Sequence, residues 1–229
     1  MLPFTTDDGS ISYRKTYESE PYHTKSGGVV EAIEKHAKAL MVWEKENPVI
    51  FDVCSGLSYS SAVAIDEIRK HNNFSEITIY LFENDLEVLE KNLDLPDTLE
   101  YTYEGKKGLV NSYVYIKNAI RNFIKYRKNV YIIDNLKIYV IFGNFEETIN
   151  TVNDKADFVF YAPFSPKITP DMWTEEKFQK INSQMKKGAK LSTYAYARVV
   201  RDGLLRAGFI IEDGPILGRR SPSLIGTKK

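Results

Sequence analysis

A turn of small residues follows a short apolar strand early in the chain, at residues 51–58 (FDVCSGLS). The run 49–53 predicts a buried strand, and a helical pattern begins at Tyr59. Parallel α/β sheets bind nucleotide-bearing ligands at the carboxyl end of such a strand, because small residues admit the ligand and a helix N-terminus offers free N–H groups. The candidate ligand contacts in this turn are Asp52, Cys54, Ser55, Gly56 and Ser58.

The glycine spacing of this turn argues against a dinucleotide cofactor. When the turn is aligned on Gly56, the glycine expected two positions earlier is Cys54, and the third glycine of the dinucleotide fingerprint is absent. The sequence therefore does not predict a pyrophosphate cradle. S-adenosyl-L-methionine carries no phosphate and is compatible with such a turn, so it is the cofactor we expect.

A carboxylate follows the second predicted strand, 77–82, at Glu83, and Asn84 comes next. An acidic side chain at this position accepts hydrogen bonds from both ribose hydroxyls in nucleotide-binding sheets. The alternative is a solvated carboxylate at a strand end. Because the small-residue turn precedes it, we favour ribose binding and take both residues as candidate cofactor contacts.

The turn after the third major strand, 137–142, carries Asn144 and Phe145. An amide at this position can hydrogen-bond the amino group of adenine, and an aromatic neighbour can pack on the adenine ring. An ordinary asparagine turn explains the same two residues. Both interpretations stay open, and both residues join the candidate cofactor contacts.

The fourth major strand, 157–161, runs into Ala162 and a loop with two prolines in four residues. Prolines fix φ and stiffen the loop, which would hold a methyl acceptor in line with the donor. Prolines also simply end strands, and that alternative is equally well supported. Ala162 is a further candidate cofactor contact. The catalytic residues are left unassigned, with Tyr22, His23, Tyr161, Pro163 and Phe164 as candidates.

Short β-rich runs alternate with helical segments along the whole chain, which predicts an α/β sheet. The remaining predicted strands are 190–194, 209–212, 224–227 and the first arm of a hairpin at 130–133. The predicted helices are 28–46, 59–71, 86 to before Pro96, 113–126, 143–149, 175–185 and 197–207. Residues 97–129 are polar and are expected to leave the main sheet. No linker or repeat divides the chain, so we expect one domain, 1–229.

The composition, with 43% hydrophobic and 27% charged residues, is that of a globular protein. No apolar run approaches the roughly 20 residues of a membrane span. The N-terminus lacks the pattern of a secretion signal, so the cytoplasm is the expected compartment. The single cysteine, Cys54, excludes an internal disulfide framework, and no histidine pair has metal-ligand spacing, so no metal is expected.

Several segments occur in an order that resembles a known family. The strongest are APFSPK at 162–167 with PDMWT at 170–174, and VRDGL at 200–204 with AGF at 207–209. Weaker matches are DGS at 8–10, YHT at 22–24, EA at 31–32, the turn 52–58, FE at 82–83, FGN at 142–144, LSTY at 191–194 and GRR at 218–220. Together they resemble the methyltransferase domain of MnmC-type tRNA wobble-uridine enzymes over nearly the whole chain except 86–137.

The resemblance implies a Rossmann-like fold with a seven-stranded, mostly parallel sheet, a C-terminal antiparallel pair and helices on both faces. It implies transfer of a methyl group from S-adenosyl-L-methionine to the exocyclic amine of 5-aminomethyluridine at the wobble position of tRNA. The expected partner is therefore the anticodon region of a tRNA.

The sequence departs from the family's pattern at the acceptor end, where the family's Asp is Ala162. That difference leaves open a methyltransferase on another acceptor, either a small molecule or a different RNA site. A non-catalytic RNA-binding relative is a further alternative, because the first turn is poor in glycine. Tyr22, His23 and Tyr161 are the candidate substitutes for the missing carboxylate.

Charge is unevenly distributed along a chain with no net charge: the segment Lys186 to Lys229 holds ten basic and three acidic residues. A one-sided basic surface suits a polyanion such as RNA, whereas scattered solubilising charge is the alternative. Arginines there would contact phosphates, and an aromatic residue would stack on an unpaired base. The candidate RNA contacts are Tyr196, Arg198, Arg201, Arg219 and Arg220.

Overall fold

The computed structural model describes residues 1–229. Its strands are β1 (Leu2–Thr5), β2 (Ile11–Arg14), β3 (Val49–Val53), β4 (Ile77–Glu83), β5 (Leu99–Tyr103), β6 (Lys106–Val110), β7 (Val130–Ile133), β8 (Leu136–Phe142), β9 (Ala156–Tyr161), β10 (Met185–Thr193), β11 (Phe209–Asp213) and β12 (Leu224–Lys228). Its α-helices are α1 (Gly28–Glu31), α2 (Tyr59–His71), α3 (Leu86–Asp94), α4 (Tyr113–Tyr126), α5 (Phe145–Thr148), α6 (Glu175–Ser183) and α7 (Arg198–Arg206). Helix α1 continues as a π-helix over Ala32–Lys38. Short 3-10 turns occupy Val42–Glu44, Ile149–Thr151 and Pro170–Trp173.

An eight-stranded sheet forms the centre of the molecule, in the order β11-β12-β10-β9-β3-β4-β8-β7. The five strands from β10 to β8 are parallel, whereas β12 runs antiparallel to both of its neighbours and β7 runs antiparallel to β8. Parallel strands covered on both faces are apolar at consecutive positions. That is why β3 is buried from Ile50 to Val53 without alternation.

Helices cover both faces of this sheet and close two separate hydrophobic clusters. Ile50 packs in the cluster under α1, α2 and α4, whereas its neighbour Phe51 packs in the cluster under α6 and α7. Successive side chains of a strand point to opposite faces, so each central strand serves both layers. Because the five central strands are parallel, their carboxyl ends meet at one edge of the sheet, where the loops that follow them converge.

The predicted fold class is confirmed, and the structure adds one strand to the predicted seven. The hairpin arm β7 pairs with β8 and becomes the outermost strand of the sheet. Residues 97–129 do leave the sheet: β5 and β6 form a separate hairpin, and α4 packs on the sheet face. The predicted helix 28–46 was too long, because Met41 adopts a left-handed conformation and ends it.

A second hairpin that the sequence reading missed, β1–β2, supports the start of α1. Asp8, in its turn, accepts a hydrogen bond from the backbone N–H of Val30 at 2.9 Å, and the Ser10 hydroxyl oxygen accepts one from Gly28 at 3.1 Å. These oxygens satisfy N–H groups that a helix N-terminus leaves without partners. The hairpin therefore fixes where α1 begins. None of the helices is both long enough and apolar enough to cross a membrane.

Candidate active site

A cavity of about 460 Å³ opens at the carboxyl ends of the central strands. It contains most of the residues that the sequence singled out. Nine predicted cofactor contacts line it: Asp52, Cys54, Ser55, Gly56, Glu83, Asn84, Asn144, Phe145 and Ala162. Four predicted catalytic candidates line it too: Tyr22, His23, Pro163 and Phe164.

The turn after β3 is tightly wound despite its single glycine. Cys54, Gly56 and Ser58 all have positive φ, at 58°, 51° and 53°. A left-handed conformation costs a non-glycine residue about 1 kcal/mol or more. The surrounding hydrogen bonds hold the turn in this shape, because Ser55 N–H donates to the Phe82 carbonyl at 3.0 Å and the Asn92 amide donates to the Gly56 carbonyl at 2.9 Å.

Glu83 joins this turn to the loop after β4. One carboxylate oxygen accepts from Gly56 N–H at 2.8 Å, and the other accepts from Asn84 and Asp85 N–H at 2.8 and 3.0 Å. The side chain is buried, and that burial raises the pKa of Glu83 while the backbone donors oppose the rise. The carboxylate thus fixes two walls of the cavity relative to each other.

Asn144 and Phe145 form the wall next to β8. The Asn144 side-chain oxygen caps α5 by accepting from Glu146 N–H at 2.9 Å, so only its second lone pair remains for a ligand. The Phe145 ring packs edge-on against Phe82 at 5.5 Å between centroids. A ligand ring placed here would meet one aromatic face and one amide.

The loop 162–169 is fastened along its length. Tyr194 donates from its hydroxyl to the Pro163 carbonyl at 2.8 Å, and the Trp173 indole N–H donates to the Phe164 carbonyl at 2.9 Å. Ser165 donates from its hydroxyl to Glu20 at 2.6 Å. These three hydrogen bonds hold the consecutive residues Pro163, Phe164 and Ser165, so the loop forms a rigid wall beside Phe164.

The candidate bases in and near the cavity differ in where they lie and how they are protonated. Burial raises the pKa of Tyr22, whose hydroxyl donates to Asp85 at 3.0 Å, so it stays protonated. Burial lowers the pKa of His23, whose ring stacks on Tyr59 at 4.9 Å, so it is neutral at pH 7. A neutral imidazole can accept a proton, whereas a protonated phenol cannot.

Two of the predicted cofactor and catalytic residues do not line the cavity. Tyr161 is fully buried in the core, and its hydroxyl donates to the Met172 carbonyl. Burial raises the pKa of Tyr161 well above its usual range, so its hydroxyl stays protonated, and unlike the other catalytic candidates it does not line the cavity. Ser58 is also fully buried and does not line the cavity, because it turns inward at the start of α2.

The sequence reading missed a polar group that the first helix brings to the cavity. Glu31, Lys35 and His36 all line it, although their helix face is otherwise apolar. Lys35 Nζ lies 2.7 Å from a Glu31 carboxylate oxygen, and His36 Nδ1 lies 2.8 Å from the Ser192 hydroxyl. In a regular α-helix Glu31 and Lys35 lie away from the apolar face, and a Glu–Lys pair four residues apart is typical of a helix surface, so the sequence carried no signal that they line a cavity.

His36 gives the protein a specific pH dependence that can be measured. Burial, together with the Lys35 charge, lowers the pKa of His36 to about 3. An unfolded histidine titrates near about 6.5, so between these values only the unfolded state takes up the proton and stability falls as the pH falls. Between about pH 7 and about pH 5 we expect the free energy of unfolding of the parent protein to fall by about 2 kcal/mol more than that of His36→Asn.

Denaturant unfolding of both proteins at the two pH values measures this difference. Asp52, whose pKa burial raises to about 7, acts in the opposite direction, since the folded state keeps its proton while the unfolded carboxyl loses it. Its contribution is the same in both proteins and cancels in the comparison. Equal losses of stability in the two proteins would contradict the expectation.

The predicted RNA contacts lie in two groups. Tyr196, Arg198 and Arg201 surround the start of α7, where Arg201 covers the Tyr196 ring at 5.1 Å and Arg198 pairs with Asp202 at 3.3 Å. Arg219 instead lies over the ring of Tyr194, at 5.2 Å, and Tyr194 lines the cavity.

Arg219 has unused hydrogen-bonding capacity. Its Nε and Nη2 atoms are buried and have no partner. Burial lowers the pKa of Arg219, and the Glu31 charge opposes the change. Buried donors without partners are rare in folded proteins and call for an explanation, such as a ligand. Arg220, by contrast, is exposed.

Comparison with known proteins gives one family match and relatives that extend over different parts of the chain. Residues 111–229 match the sequence profile of a family described as S-adenosyl-L-methionine-dependent methyltransferase. An uncharacterised protein of Methanocaldococcus jannaschii is 28% identical over 94% of this chain. The tRNA 5-methylaminomethyl-2-thiouridine biosynthesis bifunctional protein MnmC of Leptospira interrogans is 35% identical over 85 residues, 37% of this chain.

A solved structure matches the whole fold. The crystal structure of MnmC2 from Aquifex aeolicus superimposes with a TM-score of 0.75 and 26% identity, covering 99% of this chain and 70% of that one. The curated relatives are longer than this chain: the matches span 56% of the Methanocaldococcus protein and 13% of the Leptospira protein.

Proposed function

Because the chain belongs to the S-adenosyl-L-methionine-dependent methyltransferase family and is related to MnmC, we propose that it methylates tRNA. The proposed acceptor is the exocyclic amine of 5-aminomethyluridine at the wobble position. The observation that carries this proposal is the similarity to MnmC2 of Aquifex aeolicus over 99% of the chain, which includes every wall of the cavity.

The residues present fit S-adenosyl-L-methionine. A cavity of about 460 Å³ is in the range of small-molecule sites, which is about 300–1,000 Å³. The Ser55 hydroxyl lies on its wall, buried and without a partner, as a ligand-binding group would before the ligand arrives. A Cβ added at Gly56 would lie 3.0 Å from the Tyr22 ring, so glycine keeps the space between them open.

We assign the cofactor's parts to particular walls. Glu83 would accept a hydrogen bond from a ribose hydroxyl at Oε2, which receives one backbone N–H, whereas Oε1 already receives two. Asn144 and Phe145 would hold the adenine ring. When bound, S-adenosyl-L-methionine supplies a methyl group on a sulfonium, ready for attack by a nucleophile.

The protein's own contribution is then orientation and exclusion of water. The fastened loop at Pro163 and Phe164 limits where an acceptor can lie, and holding two reactants in register accounts for much of a rate enhancement. An acceptor that arrives as an ammonium must lose a proton before its nitrogen lone pair could form the new N–C bond as the S–C bond of the sulfonium breaks, which would leave S-adenosylhomocysteine. His23, neutral and on the cavity wall, is a candidate for receiving that proton.

The basic surface next to the cavity would hold the RNA backbone. Arg198 and Arg201 lie at the start of α7, which follows the carboxyl end of β10, and so they lie on the same edge of the sheet as the cavity. Arg219 is the nearest to the acceptor end, because it covers Tyr194. Such contacts give affinity that falls with salt and carries no sequence information.

Transfer of a labelled methyl group from the cofactor to an anticodon stem-loop bearing 5-aminomethyluridine tests the proposal. We expect label in the RNA and 5-methylaminomethyluridine after digestion to nucleosides. The same stem-loop with unmodified uridine should stay unlabelled. If label enters small metabolites or another RNA position instead, the acceptor is different, which is the outcome that the apolar side chain of Ala162 favours.

Arg219→Ala is expected to weaken stem-loop binding about tenfold while leaving cofactor affinity unchanged. The reason is that its two unpartnered nitrogens are available for a phosphate. Titration at several salt concentrations measures the change, and the salt slope should fall by about one. Arg206→Ala is the matched control, since Arg206 pairs with Glu175 at the far end of α7. Equal effects of the two substitutions would remove Arg219 from the RNA site.

A further inference from the structure

One carboxylate on the cavity wall has an oxygen that accepts no hydrogen bond. Glu31 receives two hydrogen bonds, from Lys35 Nζ and from the Thr24 hydroxyl, each at 2.7 Å, and both end on Oε1. Its Oε2 accepts none. The side chain is 12% exposed and lines the cavity, so this second oxygen is available to a bound molecule.

Glu31 belongs to the acceptor end of the cavity and not to the cofactor end. Tyr194 donates to the Pro163 carbonyl of the loop 162–169, the acceptor loop, at 2.8 Å, and Arg219 lies over the Tyr194 ring at 5.2 Å. Gly218, next to Arg219, lies close to Thr24, since a Cβ added at Gly218 would be 3.8 Å from the Thr24 hydroxyl oxygen, and that hydroxyl donates to Glu31 at 2.7 Å. The proposed ribose ligand, Glu83, lies beyond the turn at Gly56 instead.

The surroundings of Glu31 keep it charged. Burial alone would raise its pKa, but the ion pair with Lys35 outweighs burial and lowers the pKa of Glu31. Lys35 is itself only 2% exposed, so the pair is shielded from water. Hydrogen bonds to a charged group in such a setting are stronger than those between neutral groups.

The backbone around Glu31 is unusual as well. Directly after it the helix widens into seven residues of π-helix, Ala32–Lys38, which bring Lys35 and His36 to the cavity wall. Wide π turns are rare and often occur at functional sites. The β1–β2 turn fixes the start of the helix from outside, so Glu31 is held in position from both sides.

The other acidic side chains at this end are less suited to hold a ligand. Glu20 is occupied, since Ser165 donates to it from its N–H at 3.1 Å and from its hydroxyl at 2.6 Å. Asp171 lines the cavity but is exposed, so water screens its charge. Ala162, at the end of β9, has no polar side-chain atom.

We propose that Glu31 binds the amino group of the methyl acceptor through Oε2 and so makes the site selective for an amine. The inference rests on the proposed function, because it names the group that this carboxylate recognises. Lys35 influences which protonation state of the amine binds. A carboxylate without a counter-charge would favour the protonated ammonium, which has no lone pair. Because the positive charge of Lys35 offsets the negative charge of Glu31, the pair can orient the neutral amine.

Equilibrium binding of two stem-loops tests the proposal in the presence of S-adenosylhomocysteine, which cannot donate a methyl group. One stem-loop carries 5-aminomethyluridine and the other unmodified uridine. We expect the parent protein to prefer the aminomethyl RNA by about tenfold or more, and Glu31→Gln to bind the two equally. Glu34→Gln is the matched control, because Glu34 makes the same kind of ion pair, with Lys38 at 2.8 Å on the same helix, but does not line the cavity.

The outcomes separate this inference from the proposed function. If the parent protein shows no preference, the assignment of the acceptor fails and the role of Glu31 fails with it. If the parent discriminates and Glu31→Gln discriminates equally, only the role of Glu31 is overturned. Loss of the preference in Asp171→Asn but not in Glu31→Gln would also overturn it, by giving the amine to Asp171.

Removing one partner of a buried ion pair can destabilise the fold, so a second variant is needed. Glu31→Gln leaves Lys35 buried without a counter-charge. The double variant Glu31→Gln with Lys35→Met removes the stranded cation and should restore cofactor binding measured by calorimetry. We expect this double variant also to bind the two stem-loops equally, and a retained preference would contradict the proposal.

Discussion

Glu83→Ala is expected to weaken binding of S-adenosyl-L-methionine about 100-fold, equivalent to about 3 kcal/mol. Three backbone N–H groups, from Gly56, Asn84 and Asp85, would lose their shared acceptor, and the two loops that they belong to would lose their connection. Each hydrogen bond to a charged group contributes about 1.5–3 kcal/mol. Calorimetric titration with the cofactor measures the loss.

The same substitution should also lower thermal stability, because three backbone N–H groups lose their acceptor. Removing the buried carboxylate relieves a desolvation cost that offsets part of this loss, so affinity is compared at a temperature where both proteins are folded. Glu76→Ala is the control, since Glu76 is an exposed carboxylate at the start of the same strand and only approaches Lys137 at 3.9 Å. Near-normal affinity in Glu83→Ala would show that the cofactor does not depend on this carboxylate.

Trp173→Ala is expected to lower the free energy of unfolding by about 3–5 kcal/mol. The indole is 1% exposed and packs edge-on against Tyr161 at 5.3 Å and Tyr194 at 6.1 Å. Its removal leaves a cavity under the acceptor loop that the fastened backbone cannot close. Denaturant unfolding measures the loss, and Trp43→Ala, at the half-buried second tryptophan, should cost far less.

Trp173→Phe separates packing from positioning. A phenyl ring keeps most of the apolar contact but cannot donate to the Phe164 carbonyl, which the indole does at 2.9 Å. We expect a fall of about tenfold in kcat with little change in cofactor affinity, because the acceptor wall loosens while the ribose and adenine walls do not. A normal kcat in a stable Trp173→Phe protein would show that this anchor does not affect the reaction.

Strong periodic patterns made the main elements predictable. Helix α2 was placed at 59–71 and α4 at 113–126, as observed, because their apolar residues recur at helical spacing and their ends carry polar residues. Strand β3 was placed correctly because four of its five residues are apolar and a turn of small residues follows it. The mostly parallel sheet with its C-terminal antiparallel pair was implied by the resemblance to a known family, whereas the order of the strands comes from the structure.

Short hairpins were missed even though their turns carried a signal. In β5–β6, Glu104 and Gly105 both have positive φ, the conformation of the tight two-residue hairpin turn. In β1–β2 the turn contains Asp8 and Gly9, a common hairpin pair. The strands on either side of each turn are only four or five residues long, too short for alternation alone to identify them.

The cavity was partly predictable, because the ends of parallel strands meet at one edge of a sheet. That rule predicts that Gly56, Glu83 and Asn144 lie close together, and all three line one cavity in the structure. No local pattern signals the π-helix that turns Lys35 and His36 inward. Nor does sequence spacing show which way Tyr161 and Ser58 point, since burial is decided by the tertiary packing.

The wobble nucleosides of a strain lacking this gene test the proposed reaction most directly. Total tRNA from the deletion strain and its parent would be digested and compared by mass spectrometry. We predict that 5-methylaminomethyluridine, with or without a 2-thio group, disappears and that the corresponding aminomethyl nucleoside accumulates. Unchanged wobble nucleosides in the deletion strain would contradict the assignment of this cavity to tRNA methylation.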